Sequence, residues 1–296
     1  MNPRVLTLNQ GDPSEARVYY LPHLVAIAAG FFAQEGLEIR LMTAAEGGDT
    51  VAGGQIPSVL SGAADLTIGG PMVTMKMAEE GTRLVNFCAA VRSNPWFVLG
   101  IEADPAFDLT HLSGQAVVDV AQVGTAGFIF DAVMEEQGVA TERIAGAFPD
   151  GAHRYAIHHL HATAGAIAEG RIAPLADLAG PTGGVPWSAY IARPDTIAAQ
   201  PEAFAAFRRA IAAAFRLVAE ADPAKIAAMI APSFPDHSPE ALTIAITLYR
   251  RAAIWPKETT IPREDFERFG ALLIRAGWLT RMPSYSDLIT MEADRA

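Results

Sequence analysis

Cysteine is almost missing from this sequence of 296 residues: Cys88 stands alone. A single thiol can form no disulfide within the chain and can build no cysteine-based zinc site. Cys88 lies in the apolar run 84–91, which reads as a buried, inert thiol rather than a nucleophile. Basic residues are also scarce. Lys and Arg number 22 against 33 Asp and Glu, the net charge is −11, and no run of Lys or Arg occurs. A phosphate-backbone binder carries a basic stripe, and an anionic lipid surface repels an acidic chain, so neither nucleic acid nor a membrane surface is an expected partner. No stretch approaches 18 uninterrupted apolar residues, so no membrane insertion is expected. Met1-Asn2-Pro3-Arg4 leads directly into the strand-like Val5-Leu6-Thr7-Leu8, without the charged stub and apolar core of a leader. The expected compartment is therefore the periplasm if a leader has been removed, and the cytoplasm otherwise.

What is present is apolar and ordered. Hydrophobic residues make up 51% and charged residues 19%, which excludes a disordered chain and suits two lobes of ordinary size. The first third alternates strand and helix. Strands are expected at 4–8, 37–41, 65–70 and 84–91, and helices at 20–32, 56–61 and 71–80, which implies a largely parallel sheet covered by helices on both faces. A second strand–turn–helix series opens at 96–101. It continues through the apolar strand 116–120, the loop 122–127 and a helix at 128–137. The last third reads as four helices, at 201–220, 223–230, 238–252 and 263–276, with Pro, Ser or Asp at their starts. The fold class expected is α/β, with mixed, mainly parallel sheets and a helical C-terminal region.

In such folds ligands gather where strands end and helices begin. The loops in that position are 9–12, 47–50, 69–72, 92–96 and 121–125. Gln10 follows the first strand and can both donate and accept. Tyr20 offers a ring to stack on a planar ligand and His23 a hydrogen bond. Gly70, Pro71 and Met72 open a helix whose free N–H groups suit an anion. Arg92 can fork onto an anion, with Asn94 and Trp96 beside it. Gln122, Gly124 and Thr125 cluster donors at a helix start, and Trp187 with Ser188 follows Pro186 at the expected return crossing. Four histidines, 153, 158, 159 and 161, invite a metal reading. No His-Glu-x-x-His spacing supports it, and the expected arrangement is a partly exposed amphipathic segment with no metal and no cofactor.

Four stretches carry a family resemblance. Ala26 to Ile39, with Gly30-Phe31-Phe32 and Glu35-Gly36-Leu37, is the most specific; Leu60 to Gly69, Asp108 to Gln115 and the helical tail from Arg193-Pro194 follow in matching order. They resemble the solute-binding family of sulfonate, taurine, nitrate and thiamine-pyrimidine importers, whose fold the fungal thiamine-pyrimidine synthases share. Gln115 stands where the family has Lys, and the second lobe looks shortened around 151–180. The resemblance implies a two-lobed type II periplasmic-binding-protein-like fold. Lobe 1 would comprise 1–95 with 190–296, and lobe 2 would comprise 96–189.

The resemblance implies a substrate-binding component of an ABC-type importer that takes up a small planar or anionic organic solute and meets a permease. The alternative is a cytosolic enzyme on the same scaffold, a decarboxylase, desulfinase or pyrimidine-synthase-like protein. Its family signatures are missing: Ala16, Arg17 and Val18 stand near the place of a desulfinase cysteine, and the cysteine-rich run of the synthases is absent. An enzyme of another kind would use His23 for acid–base work and Arg92 as an anion clamp. A ligand-sensing module is a third reading, which the sequence does not separate from the first.

Overall fold

The computed structural model describes residues 4–11, 17–42 and 56–290. Ten strands fall into two five-stranded sheets. The first sheet holds β1 (Arg4–Asn9), β2 (Leu37–Met42), β3 (Leu66–Gly69), β4 (Val85–Val91) and β10 (Ser188–Ala192), in the order β2-β1-β3-β10-β4. The second holds β5 (Trp96–Gly100), β6 (Ala116–Asp119), β7 (Glu142–Ala145), β8 (Tyr155–His159) and β9 (Ala173–Asp177), in the order β7-β6-β8-β5-β9. In the first sheet β10 runs antiparallel to both neighbours while β1 is parallel to β2 and β3. In the second, β5 does the same between β8 and β9. Each sheet thus has four strands pointing one way and one pointing back. The odd strand is in each case the first one laid down after the chain passes from one sheet to the other.

The local chemistry explains the elements. β4 is buried along its whole length and β10 likewise, as a strand covered on both faces requires. The helix expected over 20–32 is two helices, Leu21–Ala28 and Phe31–Gln34, because Gly30 adopts a left-handed φ of 73° that ends the first and starts the second. Gly36, at φ 66°, then turns the chain into β2. The 20-residue helix Pro201–Glu220 buries Phe204, Phe207 and Ile211, and its Phe207 ring meets Phe32 at 5.2 Å.

The region 149–186 holds β8, the helix Leu160–Ala168 and β9, so the second lobe has a full five-stranded sheet and is not shortened. Periodicity hid this because β8 is nearly buried and short, and such runs carry no alternation. The helix expected at 128–137 begins four residues earlier and spans Gly124–Glu136, so the Gly-Thr-Ala-Gly stretch is a first helical turn rather than a loop.

The helix Arg263–Arg275 clasps the passage between the sheets. Its buried Asp265 forks onto Arg92, with oxygens 2.7 Å from Nε and 3.2 Å from Nη2. Nε of Arg268 donates to the carbonyl of Thr182. Arg268 and Arg275 both reach Glu136 on the helix Gly124–Glu136. Gly184 sits against this clasp, and a Cβ there would run into Oδ1 of Asp265 and lie 2.8 Å from Nη2 of Arg92. Gly184→Ala should therefore cost about 1–3 kcal/mol, read as a fall in thermal midpoint. Gly146→Ala, whose Cβ would meet only Val118 at 3.4 Å, should shift it far less.

Candidate functional site

A cavity of about 410 Å³ lies where strand ends of the first sheet face the start of the helix Gly124–Glu136. Its wall is built from both sides. Gln10 comes from the turn after β1, where Gln10 N–H donates to the Met42 carbonyl and Gly11 N–H donates to Oδ1 of Asn9. Tyr19 and Tyr20 come from the short turn Val18–Tyr20 that leads into the helix Leu21–Ala28. Gly69, Gly70 and Met72 come from the junction of β3 with the helix Pro71–Glu79. Trp96 begins β5, and Trp187 and Ser188 stand where the chain returns to the first sheet. From the far side come Gln122, Gly124 and Thr125. The hydroxyl of Thr125 approaches the Met72 sulfur, so the two sides touch across the cleft.

The wall is aromatic. Tyr19 and Tyr20 meet edge to face at 4.7 Å, Trp96 and Trp187 lie 5.3 Å apart, and half-exposed Trp278 closes one side. The Tyr20 hydroxyl accepts from Ser188 at 3.2 Å. Trp96 is fully buried, and its indole N–H has no protein partner among the described residues. Gln122 holds a positive φ of 50°, uncommon outside glycine, and its N–H donates to Oδ1 of buried Asp119. Asp119 is itself held by Arg143 at 3.0 Å.

The wall also carries charge. Among the described residues that line it, Arg17 is the sole ionised side chain, and no Asp, Glu, Lys or His joins it. Arg17 donates to the Tyr19 hydroxyl at 2.7 Å, which holds the guanidinium against the aromatic wall. Burial pushes the Tyr19 phenol well above its ordinary range, so it stays protonated. In an apolar surround a cation interacts with an anion far more strongly than in water.

Of the residues expected from the sequence, Gln10, Tyr20, Gly70, Met72, Trp96, Gln122, Gly124, Thr125 and Trp187 share the cavity wall. The other four do not. Arg92 is held by Asp265 in the clasp and stays off the cavity wall, whose one arginine among the described residues is Arg17. Asn94 is buried; its Oδ1 accepts from Trp96 N–H, and its amide reaches Thr182. Pro71 is buried at the helix start beside the wall. His23 lies behind Gln10, nearly sealed from solvent, with both ring nitrogens engaged. That removes the acid–base role considered for it. Asp12 and the loop 47–50 lie outside the described residues.

The histidines also differ from expectation. His158 and His159 are buried rather than on a half-exposed face, with their rings 4.4 Å apart. His161 stacks on His237 at 4.5 Å. Among the described residues no group of three or more His, Cys, Asp or Glu is placed to hold a metal.

The family model described as NMT1/THI5 like matches residues 17–147, a span that includes Arg17, the aromatic pair and the Gln122–Thr125 turn. The aliphatic sulphonate binding protein SsuA from Escherichia coli is 13% identical, with a TM-score of 0.69 over 95% of both chains. A Candida albicans protein described as having the generic periplasmic binding protein structural fold is 14% identical, with a TM-score of 0.62 over 94% of this chain and 92% of its own. YtlA of Bacillus subtilis (strain 168), named as a candidate binding protein, is 21% identical over 290 residues, 93% of this chain and 85% of that one. The chain has the two-lobed α/β periplasmic-binding fold that its sheets describe. No helix among the described residues is long and apolar enough to cross a membrane.

Proposed function

We propose that the chain binds a small planar or anionic organic solute between two lobes, 1–95 with 190–296 and 96–189. It would do so as the substrate-binding component of an ABC-type importer. The observation that carries this reading is the wall itself, where several aromatic rings stand together with the Arg17 guanidinium. Rings suit a flat apolar body, and Arg17 suits an acid group on its edge. The indole N–H of Trp96 adds a buried donor that an acceptor on the solute would satisfy. The fold and the binding roles named for SsuA and YtlA support this reading, and they favour a site of action in the periplasm with a permease as partner.

Turnover on the same scaffold is the competing reading. Among the described residues no histidine, cysteine or carboxylate lines the wall, so those residues offer the solute no general base or nucleophile of those types. A thermal-shift panel of benzoate, benzenesulfonate, ethanesulfonate, nitrate and uracil, followed by chromatography of the recovered compound, separates the two. Saturation with a bound acid at 100 times its Kd adds about 2.7 kcal/mol, a rise of roughly 5 °C or more for a chain of this size. Binding predicts such a rise for an aromatic acid, with the compound returned unchanged. A new product would establish an enzyme, and a flat response to the whole panel would defeat the anion reading.

A further inference from the structure

We infer that His23 fixes which end of the Gln10 side chain meets the solute, so that Gln10 offers its amide N–H₂ and not its carbonyl to the cavity. The inference rests on the cavity being the binding site. Gln10 stands on the wall, and His23 lies behind it. Nε2 of His23 is 3.1 Å from Oε1 of Gln10, and Nδ1 is 3.2 Å from the hydroxyl of Tyr190 on β10. His23 is 1% exposed and Tyr190 fully buried, so bulk water does not reach either group.

Two proton arrangements fit those distances. In the first, Tyr190 O–H donates to Nδ1, and Nε2–H donates to Oε1 of Gln10. In the second, Nδ1–H donates to the phenol oxygen, and a bare Nε2 faces Gln10. The amide must then turn round, give its N–H₂ to the ring and show its carbonyl to the cavity. Burial keeps the ring neutral, with its pKa brought down to about 3, so one nitrogen donates and the other accepts. Burial also holds the Tyr190 phenol well above its ordinary range, so its proton stays in place.

The phenol proton decides between them. Among the described residues, His23 is the hydrogen-bond partner of the Tyr190 hydroxyl. The second arrangement therefore strands a buried O–H donor, and the first pairs both the phenol O–H and the ring N–H. His23 is a positioning residue: it touches no solute, yet it makes Gln10 a second donor on the wall that carries Arg17. A solute acceptor is favoured there, and a solute N–H is opposed.

The test is the protonation site of His23 in the full chain, labelled with ¹⁵N-histidine and assigned by loss of a signal in His23→Gln. NMR at pH 7 should show a neutral ring with its proton on Nε2. A proton on Nδ1, or fast exchange between the two, would overturn the inference whether or not any solute binds. Tyr190→Phe, which keeps the ring packing, should spread the proton over both nitrogens and weaken benzoate about tenfold. An unchanged tautomer together with unchanged benzoate affinity in that variant would also overturn it. Failure of benzoate and of every other acid in the panel, with the Nε2 proton in place, counts against the proposed function instead.

Discussion

Arg17→Gln is expected to lower the affinity for an aromatic acid such as benzoate on the order of 100-fold, while the thermal midpoint moves by only a few degrees. A charge-assisted hydrogen bond lost from a desolvated site costs about 2–3 kcal/mol. Arg17 is the only charge on the described wall, so no neighbouring cation there takes over. Within the wall it donates to the Tyr19 hydroxyl, and glutamine retains a donor of shorter reach. Arg17→Lys keeps the charge but loses the planar fork, and should fall between the two. Isothermal titration calorimetry measures all three proteins. Equal affinities would remove Arg17 from the site.

Acid is expected to unfold the chain well before its carboxylates titrate. Burial lowers the pKa of His23 to about 3 and that of His158 and His161 to about 4, and it holds His159 well below the ordinary value. Arg17 lowers the last three further by repulsion. In the unfolded chain each imidazole takes a proton near pH 6.5. Between that value and the folded pKa the unfolded state binds more protons, so stability falls as pH falls. One such histidine costs about 2 kcal/mol between pH 7.5 and 5, and four of them act in the same direction. Denaturant midpoints at pH 7.5, 6 and 5 should drop steeply, with most of the loss below pH 6.5. A flat profile down to pH 4.5 would contradict the buried, neutral cluster. The two predictions are linked: Arg17→Gln removes the repulsion on His158, His159 and His161, so the variant that loses its solute should resist acid slightly better than the parent.

Much of the scaffold was legible because its signals are local. Glycines at 30 and 36 mark the breaks between helix and strand, and the helices Pro201–Glu220 and Pro223–Ile230 start on their prolines as expected. Strand ends located Gln10, Gly70, Trp96, Gln122 and Gly124 without reference to any relative, since the rule concerns where backbone donors converge. What escaped was decided by distant partners. Arg92 has the right type and place for an anion clamp, but Asp265, 173 residues further on, claims it. Arg17 precedes the Tyr19-Tyr20 pair by two residues, and a lone cation beside paired aromatics was the signal available for it. Trp278 joins the wall from the C-terminal segment, which read only as core helices. The buried histidines looked half-exposed because their strand is central in a sheet that periodicity did not reveal.

The most direct test is a crystal structure of the chain grown with whichever aromatic acid raises its thermal midpoint most. The account predicts density for the intact acid between Tyr20 and Trp187, its acid group within hydrogen-bond distance of Arg17 and the Gln10 amide. Density at another surface, an acid group turned away from Arg17, or a chemically altered compound in the cavity would contradict it.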